Sequence, residues 1–420
     1  MIARSKFYKF AFDLTNYLDH PVNPYKGLKN IPKSIWLLSL ATLINRSGTM
    51  VLPFLVIYMN RKIGVSPTAA GMVLMVYGLG ALLTSPFVGR LADRIGSLTV
   101  MRVSLICTGL MIILYSFITD YNLILIVTFV WSVISEAFRP ANLSLISFET
   151  STEQRKTAFA LNRLAINLGM SIGPVVGGFL TQIDYSLLFY VNGTSSILSG
   201  IFLSFIKIES QSSENRLEAS EAKNSTKSLL NKVALFSDKR FLFFMIALIP
   251  INLVFFQFLG GLPLYIVNEL HYTEATFGIL MSINTIMIVL VEVPLNNAMS
   301  NWDDRKSLAL GSLLAAVGFG MMSFSSSLIW LVITIVIWTF GEMIFFPSSA
   351  SYSSVISPEE KRGEYMGYYQ MVFSFGFMFG PWLGAVVLDK LNSTILWGGA
   401  FVLALISTTM FVMMTKKTEK

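Results

Sequence analysis

Twelve stretches of twenty or more mostly apolar residues run through this chain, and they limit its possible folds more than any other feature. They occupy residues 35–59, 67–89, 98–118, 122–147, 157–181, 185–206, 241–267, 274–297, 306–326, 328–352, 363–388 and 394–414. A helix of that length crosses the ~30 Å of hydrocarbon in a bilayer. In lipid, every backbone N–H and C=O must be bonded within the protein, so only helices and closed barrels survive there. Spans this long read as helices, and the expected fold is an all-α polytopic membrane protein. Composition agrees: 13% of residues are charged, against roughly 25% in soluble domains.

The net charge of +7 raises the possibility of a nucleic-acid partner, but the placement of the charge points elsewhere. Of 31 Lys and Arg, 25 fall at the termini, in the even-numbered loops or at the span ends beside them. Three (Arg61, Lys62 and Lys390) fall in the odd-numbered loops, and three (Arg46, Arg139 and Arg163) lie deeper within spans. Basic residues stay on the cytoplasmic side, so both termini are expected in the cytoplasm and the chain in the inner membrane. No nucleic acid is expected as a partner; membrane lipid is. One cysteine, Cys107, and two distant histidines, His20 and His271, offer neither a disulfide framework nor a metal site.

Residues 1–33 lack a secretory apolar core. Phe7, Ala11, Leu14 and Leu18 lie at helical spacing beside Lys6 and Lys9, which fits a helix on the inner membrane surface or a basic tail. Residues 207–238 form the long polar stretch inside the chain, and their composition suits a flexible cytoplasmic linker. The expected organisation is a six-helix bundle over 34–206, the linker, a second bundle over 239–415 and a tail over 416–420.

The two bundles repeat. Shifting the chain by 207 residues lays 153–178 over 360–385, matching Gly169 with Gly376, Gly173–Pro174 with Gly380–Pro381 and Gly177 with Gly384. The same shift puts Pro140 on Pro347, Tyr58 on Tyr265 and Gly71 on Gly278. Repeated halves in a polytopic protein favour a transporter with its substrate between them near the bilayer midplane.

After the second span comes "GRLADRIG", with Gly89, Leu91, Asp93, Arg94 and Gly96 in the pattern Gly-x-Leu-x-Asp-Arg-x-Gly. Together with twelve spans, two repeated halves and a central linker, this loop resembles the major facilitator superfamily over residues 35–414. The resemblance implies two pseudo-symmetric six-helix bundles and a cytoplasmic latch, in which Asp93 acts on the start of the eleventh span near Arg362. The second-half counterpart keeps Asp304 and Arg305 without the glycines. In the fifth span, Gly169, Gly173, Pro174, Gly177 and Gly178 fit G-x-x-x-G-P-x-x-G-G, which in this superfamily is typical of proton-linked exporters. Small residues there let helix backbones approach closely.

Six charged side chains lie about five or more residues inside their spans: Glu136, Glu292 and Glu342, and Arg46, Arg139 and Arg163. Each costs at least about 2.5 kcal/mol at a bilayer centre, so each is a functional candidate. Glu136 and Arg139 are three residues apart, hence on one face of a continuous fourth span. The resemblance makes the first, fourth, seventh and tenth spans line the central cavity. It thereby makes Arg46, Glu136, Arg139 and Glu342 cavity candidates; because a buried carboxylate near an arginine can exchange its proton for a change of partner, Glu136 is expected as proton carrier, Glu342 second and Arg46 as counter-charge. The fourth span has Pro-Ala-Asn after Arg139 where the exporters have Gln-Gly in the pattern Arg-x-x-Gln-Gly, so Arg139 does not inherit a proton role. Asn45, Tyr77, Asn252, Gln257, Asn284, Trp338, Tyr369 and Gln370 complete the candidate pocket, and Arg163 and Glu292 are expected to pair structurally or at a gate. The expected protein is a monomeric secondary transporter without a cofactor, exporting a small organic molecule against protons. Metabolite or siderophore uptake, symport, lipid translocation and a receptor or scaffold role are the alternatives. Counting charges does not choose between cationic and anionic substrates.

Overall fold

The computed structural model describes residues 31–206, 238–299, 301–324, 327–358 and 361–414, except for the side chains of 85–90, 92, 93, 152, 153, 156 and 362–364. The amphipathic segment and the tail proposed from sequence, and all of the linker but Asp238, lie outside the described residues. Among the described residues the structure is helical throughout, without strands.

Twelve helices are long and apolar enough to cross a membrane, and they are the twelve expected from sequence. The first bundle contains α1 (Lys33–Ile63), α2 (Pro67–Ile95), α3 (Ser97–Tyr115), α4 (Tyr121–Glu149), α5 (Thr152–Thr181) and α6 (Ser186–Ser204). The second contains α7 (Lys239–Leu259), α8 (Glu274–Ala298), α9 (Asp304–Phe324), α10 (Leu328–Ile356), α11 (Arg362–Lys390) and α12 (Ser393–Met413). The chain is a multi-pass membrane protein built of two pseudo-symmetric halves. Below, the proximal end is the one where α1 begins and α12 finishes; the distal end is opposite.

Two seams hold the halves together, and small residues make both. A Cβ added to Gly278 of α8 would lie 2.1 Å from Pro174 O, and one on Gly178 would lie 2.7 Å from Ala275 Cα. On the other side, a Cβ on Gly71 of α2 would meet Ala385 Cβ at 2.7 Å, and one on Gly78 would meet Met378 Cα at 2.7 Å. So α5 packs on α8 as α11 packs on α2. Close approach replaces the missing hydrophobic drive between helices in lipid. The α5 motif serves two neighbours at once. Pro174 and Gly178 face α8, while Gly169, Gly173 and Gly177 press on Arg46, Thr49 and Met50 of α1.

Three helices are interrupted. α1 consists of Lys33–Ser47, then Val51–Tyr58, then a π-turn over Met59–Ile63. The break leaves amides without an intrahelical acceptor, and Asn192 Oδ1 of α6 accepts from both Met50 and Val51 at 3.2 Å. α7 passes through a tight turn at Phe256–Leu259 and continues as Gly261–Leu264 and a π-turn over Tyr265–Glu269. α4 divides into Tyr121–Ser135 and Phe138–Glu149, which corrects the expectation of a continuous fourth span. The cause is local: Pro140 has no N–H to bond the Glu136 carbonyl four residues back.

Candidate functional site

The α4 break puts Glu136 at the end of a helix segment, half-buried. Tyr77 of α2 donates to its Oε1 at 3.0 Å and also lies 3.0 Å from Ser135 Oγ. The Tyr77 ring is fixed edge-on against Trp131, with centroids 5.0 Å apart, and against Phe377 of α11 at 6.0 Å. Arg46, just before the α1 break, lies within electrostatic reach of Glu136, Tyr77 and Arg139. Among the described residues Arg46 makes no ion pair, and its Nε is buried without a hydrogen-bond partner. Arg139 is exposed and belongs to the following helix segment, although Glu136 and Ala137 between the two segments keep right-handed helical dihedrals.

The second half carries a matching group. Asn284 of α8 donates from Nδ2 to Glu342 Oε2 at 2.8 Å and to Thr339 Oγ1 at 3.0 Å. Tyr77 and Asn284 are 207 positions apart, while Glu136 and Glu342 are 206 apart. Arg46 and Asn252 are also 206 apart, and each places its Cβ against a pseudo-equivalent glycine, Gly169 or Gly376, at 2.5 Å from an added Cβ. The fold therefore repeats a station of three positions: a carboxylate, a donor bonded to it and a polar residue at the first break of its half. The stations differ in charge. Arg46 stands beside Glu136, whereas the buried amide Asn252 occupies the matching place.

Arg163 of α5 is ion-paired with the buried Glu292 of α8, and both lie within electrostatic reach of Glu342. This pair crosses between the halves on the proximal side of the Ser282–Ser171 contact. It sets both a like charge, Glu292, and a countercharge from the other half, Arg163, near Glu342.

Several candidate pocket residues are placed elsewhere. Asn45 donates to Ser196 Oγ of α6 at 3.1 Å. Gln257 donates to Gly380 O of α11 at 2.8 Å. Trp338 stacks on Phe319 of α9 with centroids 5.2 Å apart. Asn252 bonds back to Leu248 O at 2.8 Å, although its Oδ1 is left unpartnered. Asn45 and Gln257 thus bond across helix–helix seams, where a polar group in lipid needs a protein partner, while Trp338 packs on α9 and Asn252 bonds within its own helix. Tyr369 lies 2.8 Å from Ser349 Oγ, and Gln370 is half-buried on the same helix. The surroundings of Gly89 and the side chains of Asp93 and Arg362, on which the latch depends, lie outside the described residues. Arg94 is exposed, and Gly96 has φ 88° at the turn into α3, a backbone that favours glycine.

Sequence reasoning missed a polar cluster at the distal end. Asn60, Arg61, Tyr185, Asn268 and Glu274 meet there across the two halves. Their only sequence signal was position at span ends, where such residues look like ordinary loop polarity.

The sequence model of the Major Facilitator Superfamily matches residues 37–273 and 258–420. The chain belongs to this superfamily. It is 25% identical over 365 residues to a Na(+), Li(+), K(+)/H(+) antiporter of Planococcus maritimus, covering 80% of this chain and 85% of that one. It is 24% identical over 364 residues to Multidrug resistance protein 1 of Bacillus subtilis, covering 86% and 90%. The crystal structure of the nucleoside transporter NupG superposes with a TM-score of 0.73 at 15% identity, covering 92% of this chain and 100% of that one; this likeness concerns the fold. As a superfamily member, the protein is a transporter of small molecules and not an enzyme.

Proposed function

We propose that this transporter exports a small organic molecule in exchange for protons by alternating access, with the proton carried on Glu136 and Glu342. The observation that carries the reading is the duplicated station: two carboxylates within spans, each bonded to a pseudo-equivalent donor, one in each half. A carboxylate in this setting is costly to hold charged, so it can trade a proton for a change of partner when the surroundings change. The α5 glycine motif and the antiporter and multidrug relatives support export. No P-loop appears in the sequence, so the proton gradient supplies the energy and no cofactor is needed. The proximal end is assigned to the cytoplasm of the inner membrane from the distribution of basic residues, and the protein is taken to act as a monomer.

One observation favours a second reading, proton symport of an anion. Arg46 has a buried Nε without a partner, and Arg139 is exposed. An anionic group taking Arg46 from Glu136 would draw a proton onto that carboxylate, so substrate and proton would travel together. A cation competing for the carboxylate would displace the proton and give exchange.

Proteoliposomes with an internal pH dye and an imposed gradient, challenged with cationic, anionic and zwitterionic compounds, separate the two. Proton movement opposite to a cation supports export; movement with an anion supports symport. If labelled compounds cross without moving protons, and Glu136→Gln and Glu342→Gln leave that flux unchanged, the proton reading is wrong.

A further inference from the structure

The two carboxylate stations differ in what stands for a cation. At the first, the Arg46 guanidinium lies within electrostatic reach of Glu136. At the second, the charged groups within reach of Glu342 are Glu292 of α8 and Arg163 of α5, and these two pair with each other. With Glu342 ionised, one negative charge is left over at the second station. Such a charge is costly to hold at membrane depth.

Oxygen atoms gather where the cation is missing. Thr339 lies three residues before Glu342 on the unbroken α10, hence on the same face, whereas α4 has Val133 three residues before Glu136. Thr339 Oγ1 donates its one hydrogen to Ile335 O at 2.6 Å, so at the station it can only accept. Asn284 Nδ2 stands 2.8 Å from Glu342 Oε2 and 3.0 Å from Thr339 Oγ1, and two acceptors thus converge on one point. A half-turn of that carboxamide puts Oδ1 in place of the N–H groups, and three oxygens then face one another, which only a cation between them stabilises. Asn252 holds in α7 the place that Arg46 holds in α1. It is 3% exposed, and its Oδ1 is buried without a hydrogen-bond partner. It also lies in the last turn of the segment Lys239–Phe255, and the C-terminal end of a helix favours positive charge.

We propose that the second station binds a monovalent alkali cation through the Glu342 carboxylate, Thr339 Oγ1 and the carboxamide oxygens of Asn284 and Asn252. Hard cations take oxygen ligands, and one uncompensated carboxylate balances one monovalent charge. The first station does not bind such an ion, because Arg46 already supplies its positive charge. The ion replaces the Asn284 N–H groups, which turn away as it enters. An alkali cation and a proton are then alternatives on Glu342, and either one neutralises it. The inference rests on the duplicated station of the reading above, and not on export or on the organic substrate.

The test measures binding, not transport. The purified full chain in lipid nanodiscs, with no gradient, is titrated with radioactive sodium at alkaline pH and at constant ionic strength set by N-methylglucamine chloride. Saturable binding of one ion per chain is expected, displaced by unlabelled sodium or lithium and not by further N-methylglucamine. Glu342→Gln should abolish it. Thr339→Val keeps the shape of the side chain but removes its oxygen, and should weaken binding about tenfold, the lower end of what a changed residue at a metal site costs. No saturable binding in the unsubstituted protein would overturn the proposal. So would binding that survives Glu342→Gln, or that is lost in Glu136→Gln alone. If Glu342→Gln does not fold, Thr339→Val decides, and an unchanged affinity there would overturn the site. Failure of proton exchange would show in the liposome fluxes and leave sodium binding intact.

Discussion

The two halves follow one plan and solve the same problem with different residues. Pro140 and Pro347 occupy matching places in α4 and α10. Each lacks the N–H that would bond the carbonyl four residues earlier. In α10 the freed Met343 carbonyl accepts from Asn296 Nδ2 at 3.3 Å, and the helix continues from Leu328 to Ile356. In α4 the helix opens at Glu136. The carboxylate stations diverge in the same way. Glu136 has an arginine within its own half, whereas Glu342 has an amide donor and shares the cross-half Arg163–Glu292 pair. A repeated backbone thus carries one station whose countercharge is fixed within its half and one whose countercharge depends on how the halves meet. If that difference matters, Glu342 responds to the conformational change more directly than Glu136.

The strongest way to break the comparison is to neutralise each acid in turn. Glu342→Gln and Glu136→Gln should each lower proton-coupled flux on the order of 10²-fold, the scale lost when a positioned proton-transfer group is removed. Only Glu342→Gln should also change how far the halves open when pH is varied, read by distance measurements across the proximal end. Equal responses would mean that the stations are functionally equivalent.

Next comes the donor to each carboxylate. Asn284→Ala removes the amide that Glu342 accepts from, and should destabilise the protein by about 1.5–3 kcal/mol, the range for a hydrogen bond to a charged group. Tyr77→Phe should cost less, because the Arg46 charge still stands beside Glu136. Thermal unfolding in detergent compares the two; a larger loss for Tyr77→Phe would reverse the assignment.

Arg163 pairs with the buried Glu292, so Arg163→Gln should lower thermal stability by leaving that carboxylate without its partner, and should shift the pH dependence of transport through its effect on Glu292 and Glu342. The smallest expected effects concern the prolines. Pro140→Ala should favour a continuous α4 and lower transport without lowering stability, whereas Pro347→Ala should leave both nearly unchanged. Hydrogen exchange at 136–140 and transport measured together would show whether the α4 opening is needed.

Much of this was legible in the chain itself. Span length and apolarity set the twelve helices, because the bilayer leaves the backbone no other way to satisfy its polar groups. The 207-residue repeat, visible in Gly169 and Gly376 or Pro140 and Pro347, set the two halves. The superfamily followed from these and from the Gly89–Gly96 pattern. The identity of the six charged residues within spans was equally plain, since charge in hydrocarbon stands out against its surroundings.

Which of those groups meet was decided only by the tertiary structure. Asn45, Gln257 and Trp338 look like pocket residues in sequence, yet the direction of each side chain follows from helix rotation and from breaks that a linear pattern does not encode. The opening of α4 at Glu136 and Ala137, which Pro347 does not produce in α10, was likewise not readable from the matching prolines. Arg61 and Glu274 are separated by more than half the chain, and nothing local to either predicts their contact. Sequence determined the parts because the membrane acts on each residue separately. Which side chains meet, within a half and between the halves, depends on packing.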